Sequence, residues 1–82
     1  MTEYENRIRR RLSELKFGLD GIALSSDAPL LDDILDSEKI TELGKVISAE
    51  IGRPLKKEER IATNFFSISA ILRFSEAAKL KS

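Results

Sequence analysis

Apolar residues return every three or four positions along the first part of the chain. They are Tyr4, Ile8, Leu12 and Leu15. This spacing places them on one face of a helix. Thr2 is followed three residues later by Glu5, the pattern of a capping box in which each side chain accepts a hydrogen bond from a backbone N–H at the helix start. The pattern predicts helix I over residues 2–17, ended by Gly18.

The next segment, residues 18–36, has no helical periodicity and contains many turn-forming residues. These are Gly18, Gly21, Ser25, Ser26 and Pro29. The segment is nevertheless too apolar for a solvated linker. Its apolar residues include Ile22, Leu24, Leu30, Leu31, Ile34 and Leu35. Because long loops in compact domains are usually functional or packed, we expect this loop to lie across a helical bundle with its leucines inserted.

Helical spacing resumes after the loop and predicts helix II over residues 37–51. Its apolar stripe consists of Ile40, Leu43, Ile47 and Ile51. Gly52 and Pro54 follow immediately, and both residues are typical of the end of a helix. We therefore expect helix II to stop at Ile51.

The last third of the chain predicts two more helices. A short helix III is expected over residues 56–62, with Leu55 and Ile61 facing inward. Helix IV is expected over residues 67–79, and Phe65, just before it, is a candidate core anchor. The packing positions of helix IV are Ile68, Ile71, Leu72, Phe74 and Ala78. No strand-like alternation is found in the sequence.

Length and composition narrow the fold and the function classes. Eighty-two residues make one domain spanning residues 1–82, with too modest a core for a deep catalytic cleft. The chain has no cysteine, which excludes disulfides and thiolate chemistry, and no histidine, the usual general base and commonest metal ligand. We expect a non-catalytic all-α protein, a bundle of three main helices plus one short helix.

Charge and hydropathy bear on partners and location. Lys plus Arg and Asp plus Glu number 14 each, so no net field attracts nucleic acid. No apolar run approaches the ~20 residues that span a bilayer. The residues after Met1 are polar and do not form a secretory signal. We expect a cytoplasmic monomer without a nucleic-acid or membrane partner.

Four arginines of helix I could suggest nucleic-acid binding. They are Arg7, Arg9, Arg10 and Arg11. Acidic residues alternate with them at Glu3, Glu5 and Glu14. The interleaved signs favour a solvated helix face, with i,i+4 pairs joining Glu3 to Arg7 and Glu5 to Arg9.

The order and spacing of three motifs resemble the acyl carrier protein and peptidyl carrier protein family over nearly the whole chain. Asp27-Ala-Pro-Leu-Leu-Asp-Asp-Ile-Leu-Asp-Ser37 looks like the family's loop with its terminal Asp-Ser attachment motif. Glu50-Ile-Gly-Arg-Pro-Leu55 is similar to the end of its second helix. Asn64-Phe-Phe-Ser-Ile-Ser-Ala-Ile71 resembles the opening of its fourth helix.

This resemblance implies a function for Ser37. In the family, the serine receives 4'-phosphopantetheine from coenzyme A through a separate Mg²⁺-dependent phosphopantetheinyl transferase. The thiol of that arm holds an acyl or aminoacyl group as a thioester for fatty acid, polyketide or nonribosomal peptide biosynthesis. The implied partners are an adenylating ligase or synthase and a downstream transferase. Asp36 would cap the helix beside the attachment site, where free N–H groups and the helix dipole favour a phosphodiester.

Acidic residues around Ser37 are candidates for partner binding, since complementary charge speeds encounter with a basic partner. They are Asp32, Asp33, Glu38 and Glu42. A metal site formed by the aspartates is disfavoured, because they lack the full alternation and the distal Glu of a calcium loop. Family members usually have Leu or Met where this chain has Glu38.

Two other functions remain open from the sequence. The first is a carrier-like module that is never modified and acts by protein binding alone. The second is a small helical regulator of nucleic-acid binding, against which the balanced charge argues. An autonomous enzyme is the function that the residues support least.

Overall fold

The computed structural model describes residues 2–31 and 33–81 and confirms an all-helical fold. These residues form four α-helices and one 3-10 turn, without a β-strand. The elements are α1 (Glu3–Leu15), α2 (Ser37–Ile51), the 3-10 turn (Lys57–Glu59), α3 (Ala62–Phe65) and α4 (Ile68–Lys81). Helices α1, α2 and α4 pack against one another, and the short α3 packs on α4.

The core lies between the three long helices and is closed by residues of the first loop. Its fully buried hydrophobic members are Ile8, Leu12, Leu30, Leu43, Ile47, Phe65, Ile68 and Ile71. The predicted core positions Ile47, Phe65 and Ile71 are confirmed, since none has any solvent exposure. Each such side chain contributes about 1.5–3 kcal/mol through removal from water.

Polar contacts join the helices outside this core. The Tyr4 and Ser75 hydroxyls lie 2.6 Å apart and connect α1 to α4. The Glu50 carboxylate of α2 accepts from Arg7 of α1 at 2.9 Å and from Lys79 of α4 at 2.7 Å. The sequence paired Arg7 with Glu3, and the structure instead shows Arg7 bound to a different helix.

Helix α1 begins as predicted but ends earlier. The Thr2 hydroxyl accepts from the Glu5 N–H at 3.1 Å, which is one half of the predicted capping box. The Glu5 carboxylate does not turn back to Thr2 but accepts from Nε of Arg9, which confirms the predicted Glu5–Arg9 pair. The predicted helix end at residue 17 is wrong, because Lys16 is already extended (φ −126°, ψ 116°) and Gly18 turns the chain at φ +86°.

The Arg9 side chain is the main departure from the sequence interpretation. It was predicted on a solvated face, yet it is only 4 % exposed. Its guanidinium lies under the loop and donates to three loop carbonyls, one loop hydroxyl and one carboxylate of its own helix. The acceptors are Gly21 O at 3.0 Å, Ile22 O at 3.4 Å, Leu24 O, Ser26 Oγ at 2.8 Å and Glu5 Oε2 at 2.9 Å. A buried charge is stable only when it is hydrogen-bonded in this way.

Gly21 allows the loop to come this close to α1. A Cβ atom at this position would lie 2.0 Å from the carbonyl oxygen of Arg9. The Gly21 N–H also donates to Ser13 Oγ at 2.8 Å, and that hydroxyl donates to Arg9 O at 3.2 Å. Glycine is therefore required here because the two backbones are nearly in contact, rather than for a special dihedral angle.

The second half of the loop is attached to the start of α4. The Leu30 N–H donates to Phe66 O at 2.8 Å, and the Ser69 N–H donates to Ser26 O at 2.9 Å. The expected insertion of the loop's leucines is confirmed for Leu30 and Leu35, which are buried, while Leu24 and Leu31 are partly buried. Ile34 is buried as well, whereas Ile22, in the turn that Arg9 holds, is 49 % exposed.

The chain between α2 and α4 differs from the predicted helix III over residues 56–62. A single 3-10 turn occupies residues 57–59, and α3 forms only after Ile61, which is extended and 48 % exposed rather than facing inward. The helix is interrupted at Arg60 and Ile61, whose dihedral angles are not helical, and the Glu59 carbonyl accepts from Asn64 Nδ2 at 2.9 Å. Ser67 caps α4, accepting from the Ala70 N–H at 3.1 Å.

Replacement of Arg9 tests how much stability its guanidinium provides. Arg9→Lys keeps the charge but leaves several loop acceptors without a donor, and we expect it to lower the free energy of unfolding by about 2–4 kcal/mol. Urea unfolding followed by circular dichroism measures this difference. Arg10→Lys, the same change at the exposed neighbouring position, is the matched control and should cost less than about 0.5 kcal/mol. Equal losses in the two variants would contradict this account.

Candidate functional site

Ser37 is the first residue of α2, and its side chain is exposed. Asp36 precedes the helix in extended conformation (φ −120°, ψ −176°), and its carboxylate accepts from the Lys39 N–H at 2.9 Å. Among the residues that the structure describes, none hydrogen-bonds to the Ser37 hydroxyl. The hydroxyl is therefore free to react and faces solvent. Asp36 therefore caps the helix as predicted, and Ser37 stands at its exposed tip.

The helix start provides an environment that suits an anion. The first turn of an α-helix carries backbone N–H groups without intrahelical partners, together with the positive end of the dipole. A phosphodiester on the Ser37 oxygen would lie next to both. Lys39, in the first turn of the helix, has its Nζ 3.9 Å from Asp36 Oδ2. The Asp36 carboxylate already occupies the Lys39 N–H, so the N–H groups of Ser37 and Glu38 are the ones that remain for an anion.

The backbone that leads into Ser37 is anchored by buried residues. Ile34 and Leu35 are 8 % and 4 % exposed, and their N–H groups both donate to Leu30 O, at 3.2 and 2.7 Å. Lys16 Nζ donates to the carbonyl of Asp33 at the rim of this turn. Because the turn is tied to the core on one side and to α1 on the other, Ser37 occupies a defined position.

The acidic candidates around Ser37 are in different environments. Asp33 and Glu38 have exposed side chains beside the helix start. Glu42, one turn further along, accepts from Arg11 of α1 at 3.1 Å and from Lys45 at 3.2 Å. The hydrogen bond and charge of Lys45, and then those of Arg11, lower the pKa of Glu42. Asp32 lies outside the described residues.

A groove that the sequence did not indicate runs along α2 on the side of Ser37. Its volume is about 620 Å³, and it lies between α2 and residues 52–60. Thr41, Gly44 and Ser48 line it, at spacings that place them on the helix face of Ser37. A Cβ on Gly44 would meet Leu55 Cδ1 at 3.2 Å, so Gly44 lets Leu55 form the groove floor. The sequence signal that could have indicated the groove is the run of small residues Thr41, Gly44 and Ser48 at helical spacing.

An ion pair holds the far wall of this groove. Arg53 donates twice to Glu59, at 2.8 and 2.9 Å, and the Lys56 N–H donates to the same carboxylate at 2.8 Å. These hydrogen bonds, that of Arg53 first, lower the pKa of Glu59 to about 2. The paired geometry makes the contact more specific than a single surface salt bridge.

The chain matches no family model, no curated protein and no solved structure. Within residues 2–31 and 33–81, none of the helices combines the length and the apolarity needed to cross a bilayer. The same residues contain no group of three or more acidic side chains placed to hold a metal ion.

The depressed pKa of Glu59 predicts how stability depends on pH. The pKa of the Glu59 carboxyl is 4.5 ordinarily and about 2 in the folded protein. Its ionised form therefore contributes fully to the free energy of unfolding above pH 4.5, and this contribution is lost as the pH falls towards 2. Glu59→Gln should therefore be less stable than the parent protein near neutral pH, and the difference should shrink across this interval. Urea unfolding at several pH values measures it.

Glu58→Gln is the matched control, because Glu58 is an exposed neighbour that makes no ion pair with any described residue. It should change stability little at any pH in the same interval. A Glu59→Gln deficit that stays constant down to the acid limit would show that the Arg53 contact does not act through the charge of Glu59.

Proposed function

We propose that the protein is a carrier that holds an acyl or aminoacyl group as a thioester on a 4'-phosphopantetheine arm attached to Ser37. The observation that carries the proposal is the exposed, unbonded Ser37 hydroxyl at the first turn of a capped and anchored helix. The resemblance of three motifs to the acyl and peptidyl carrier family supports it. The all-helical fold with a long first loop is consistent with the same family.

Attachment requires one displacement at phosphorus. The Ser37 oxygen forms a bond to the phosphorus next to pantetheine, and the bond from that phosphorus to the leaving 3',5'-ADP breaks. The serine proton passes to a base of the transferase. When bound, the arm supplies the thiol that carries the cargo. The residues of this chain hold the serine outward through Asp36 and offset the phosphodiester charge with the start of α2.

The surface around the site is suited to basic partner enzymes. Asp33, Asp36 and Glu38 expose carboxylates on the approach to Ser37. Such charges raise the rate of encounter with a positively charged surface more than they raise affinity. The partners of this proposal are a phosphopantetheinyl transferase, the ligase or synthase that loads the arm, and the enzyme that receives the group.

A second function, a carrier-like module that binds proteins without being modified, is favoured by one observation. The exposed Glu38 adjoins Ser37 and places a negative charge where the phosphate of coenzyme A would approach. Measured modification of Ser37 separates the two functions directly.

The first test is the intact mass of the protein. After incubation with coenzyme A, Mg²⁺ and a phosphopantetheinyl transferase, we expect a gain of one phosphopantetheine, because a single serine occupies the exposed helix start. Ser37→Ala should gain nothing, while Ser48→Ala, further along the same helix face, should gain one arm like the parent protein. An unchanged parent mass with several transferases, including that of the native host, would support the unmodified module.

The second test concerns Glu38. Glu38→Leu removes the carboxylate beside the incoming phosphate and offers an apolar contact, so we expect KM for a general transferase to fall about two- to fivefold, as for an exposed charge. Steady-state kinetics with a general and a native transferase measure the effect, and Glu38→Gln separates charge from apolarity. Identical kinetics in all three proteins would mean that Glu38 only stabilises the N-terminus of α2 and does not affect the transferase.

A further inference from the structure

The groove along α2 begins about one turn from Ser37. Thr41 lines its near end, and the Thr41 hydroxyl donates to the Ser37 carbonyl at 3.1 Å. Gly52 lines its far end, about 22 Å from Ser37 along the helix axis at about 1.5 Å per residue. An arm that leaves Ser37 along this face of the helix therefore passes over the groove.

The floor of the groove is apolar. Leu55 forms it, brought close by the missing side chain of Gly44, and the exposed Ala49 and Pro54 extend the apolar lining. Small-molecule sites are commonly built in this way, with an apolar floor and a few polar groups that select the ligand. Methylene groups of an acyl chain fit such a floor.

The charged residues that line the groove are all cations: Lys45, Arg53 and Arg60. Arg53 is neutralised by Glu59, and Lys45 shares the Glu42 carboxylate with Arg11. The Arg60 guanidinium forms no hydrogen bond or ion pair with the residues that the structure describes. The rim therefore keeps positive charge without a partner of its own, in a protein whose net charge is zero.

We propose that this groove binds the free carboxylate of the cargo, and that the cargo is an acyl group derived from a dicarboxylic acid. The proposal rests on the carrier function and narrows it. The methylene groups lie over Leu55, and the carboxylate meets Arg60 and Lys45. An aminoacyl group brings an ammonium ion, which these cations repel. A neutral acyl group of equal length gains the floor contact alone.

The test compares three cargoes on the same arm. Stable amide analogues of coenzyme A carrying succinyl, butyryl or β-alanyl groups are loaded onto Ser37, and the mass reports loading. Amide signals of Gly44, Ser48 and Gly52 report occupation of the groove by NMR. We expect the largest shifts with succinyl, smaller ones with butyryl and none with β-alanyl. The pKa of a ¹³C-labelled succinyl carboxylate should fall below that of the free analogue.

Variants of the rim identify the groups responsible. Arg60→Gln and Lys45→Gln should each return the carboxylate pKa towards that of the free analogue and reduce the succinyl shifts. They should leave the butyryl shifts unchanged. Lys57→Gln removes an exposed cation that does not line the groove and should have no effect. Equal groove shifts for all three cargoes, with an unaltered carboxylate pKa, would overturn the groove proposal and leave the carrier function intact.

Failure of the carrier function is visible separately, because no analogue would then add mass. In that case the succinyl analogue of pantetheine, free in solution, is titrated into the unmodified protein. Saturable shifts at Gly44, Ser48 and Gly52 that weaken in Arg60→Gln would uphold the groove as a carboxylate site. A titration without such shifts would overturn it.

Discussion

The guanidinium of Arg9 is the contact on which the arrangement of the first loop depends. Residues 16–31 and 33–36 belong to a long non-helical connection for a domain of this size, and their backbone groups need partners once they approach the core. Arg9 supplies donors to carbonyls of Gly21, Ile22 and Leu24 from the buried face of α1. The cost of burying its charge is offset by these bonds and by Glu5, which neutralises it from within the same helix. One side chain thereby connects a helix to a loop that has no regular structure of its own.

The effect of this contact extends along the chain to Ser37. Ser26 accepts from Arg9 through its hydroxyl and from the Ser69 N–H through its carbonyl, so α1 and α4 share one loop residue. Four residues later, Leu30 bonds to Phe66 and enters the core, and its carbonyl closes the turn that leads to Asp36. A residue in a loop is usually mobile, but here the approach to the helix start is fixed at both ends. The exposed position of Ser37 is thus a consequence of buried contacts elsewhere.

The sequence predicted those parts of the fold that depend on local pattern. The long helices follow from apolar spacing, and the start of α2 follows from Asp36 and Ser37. Arg9 was misplaced because Arg7, Arg10 and Arg11 look alike in sequence, and the acceptors that distinguish it lie 12 to 17 residues away. Only its position beside Ile8 and one turn before Leu12, at the edge of the buried stripe, hinted at burial. The groove was missed for the same reason, because the role of Gly44 depends on its contact with Leu55, which is distant in sequence.

Some charged residues of α2 and of the segment after it stabilise the fold, and others are available to bind other molecules. Acids at the start of a helix are stabilised by its dipole, so Asp36 and Glu38 alone do not require a functional explanation. Glu42, Arg53 and Glu59 are engaged within the protein by ion pairs that hold α1 and the 52–60 segment in place. Arg60 differs from these, because it lies beyond the helix, lines the groove and has a guanidinium without a partner among the described residues. An exposed cation in that position adds little to the stability of the fold. Its role is therefore better explained by binding of the cargo carried on Ser37.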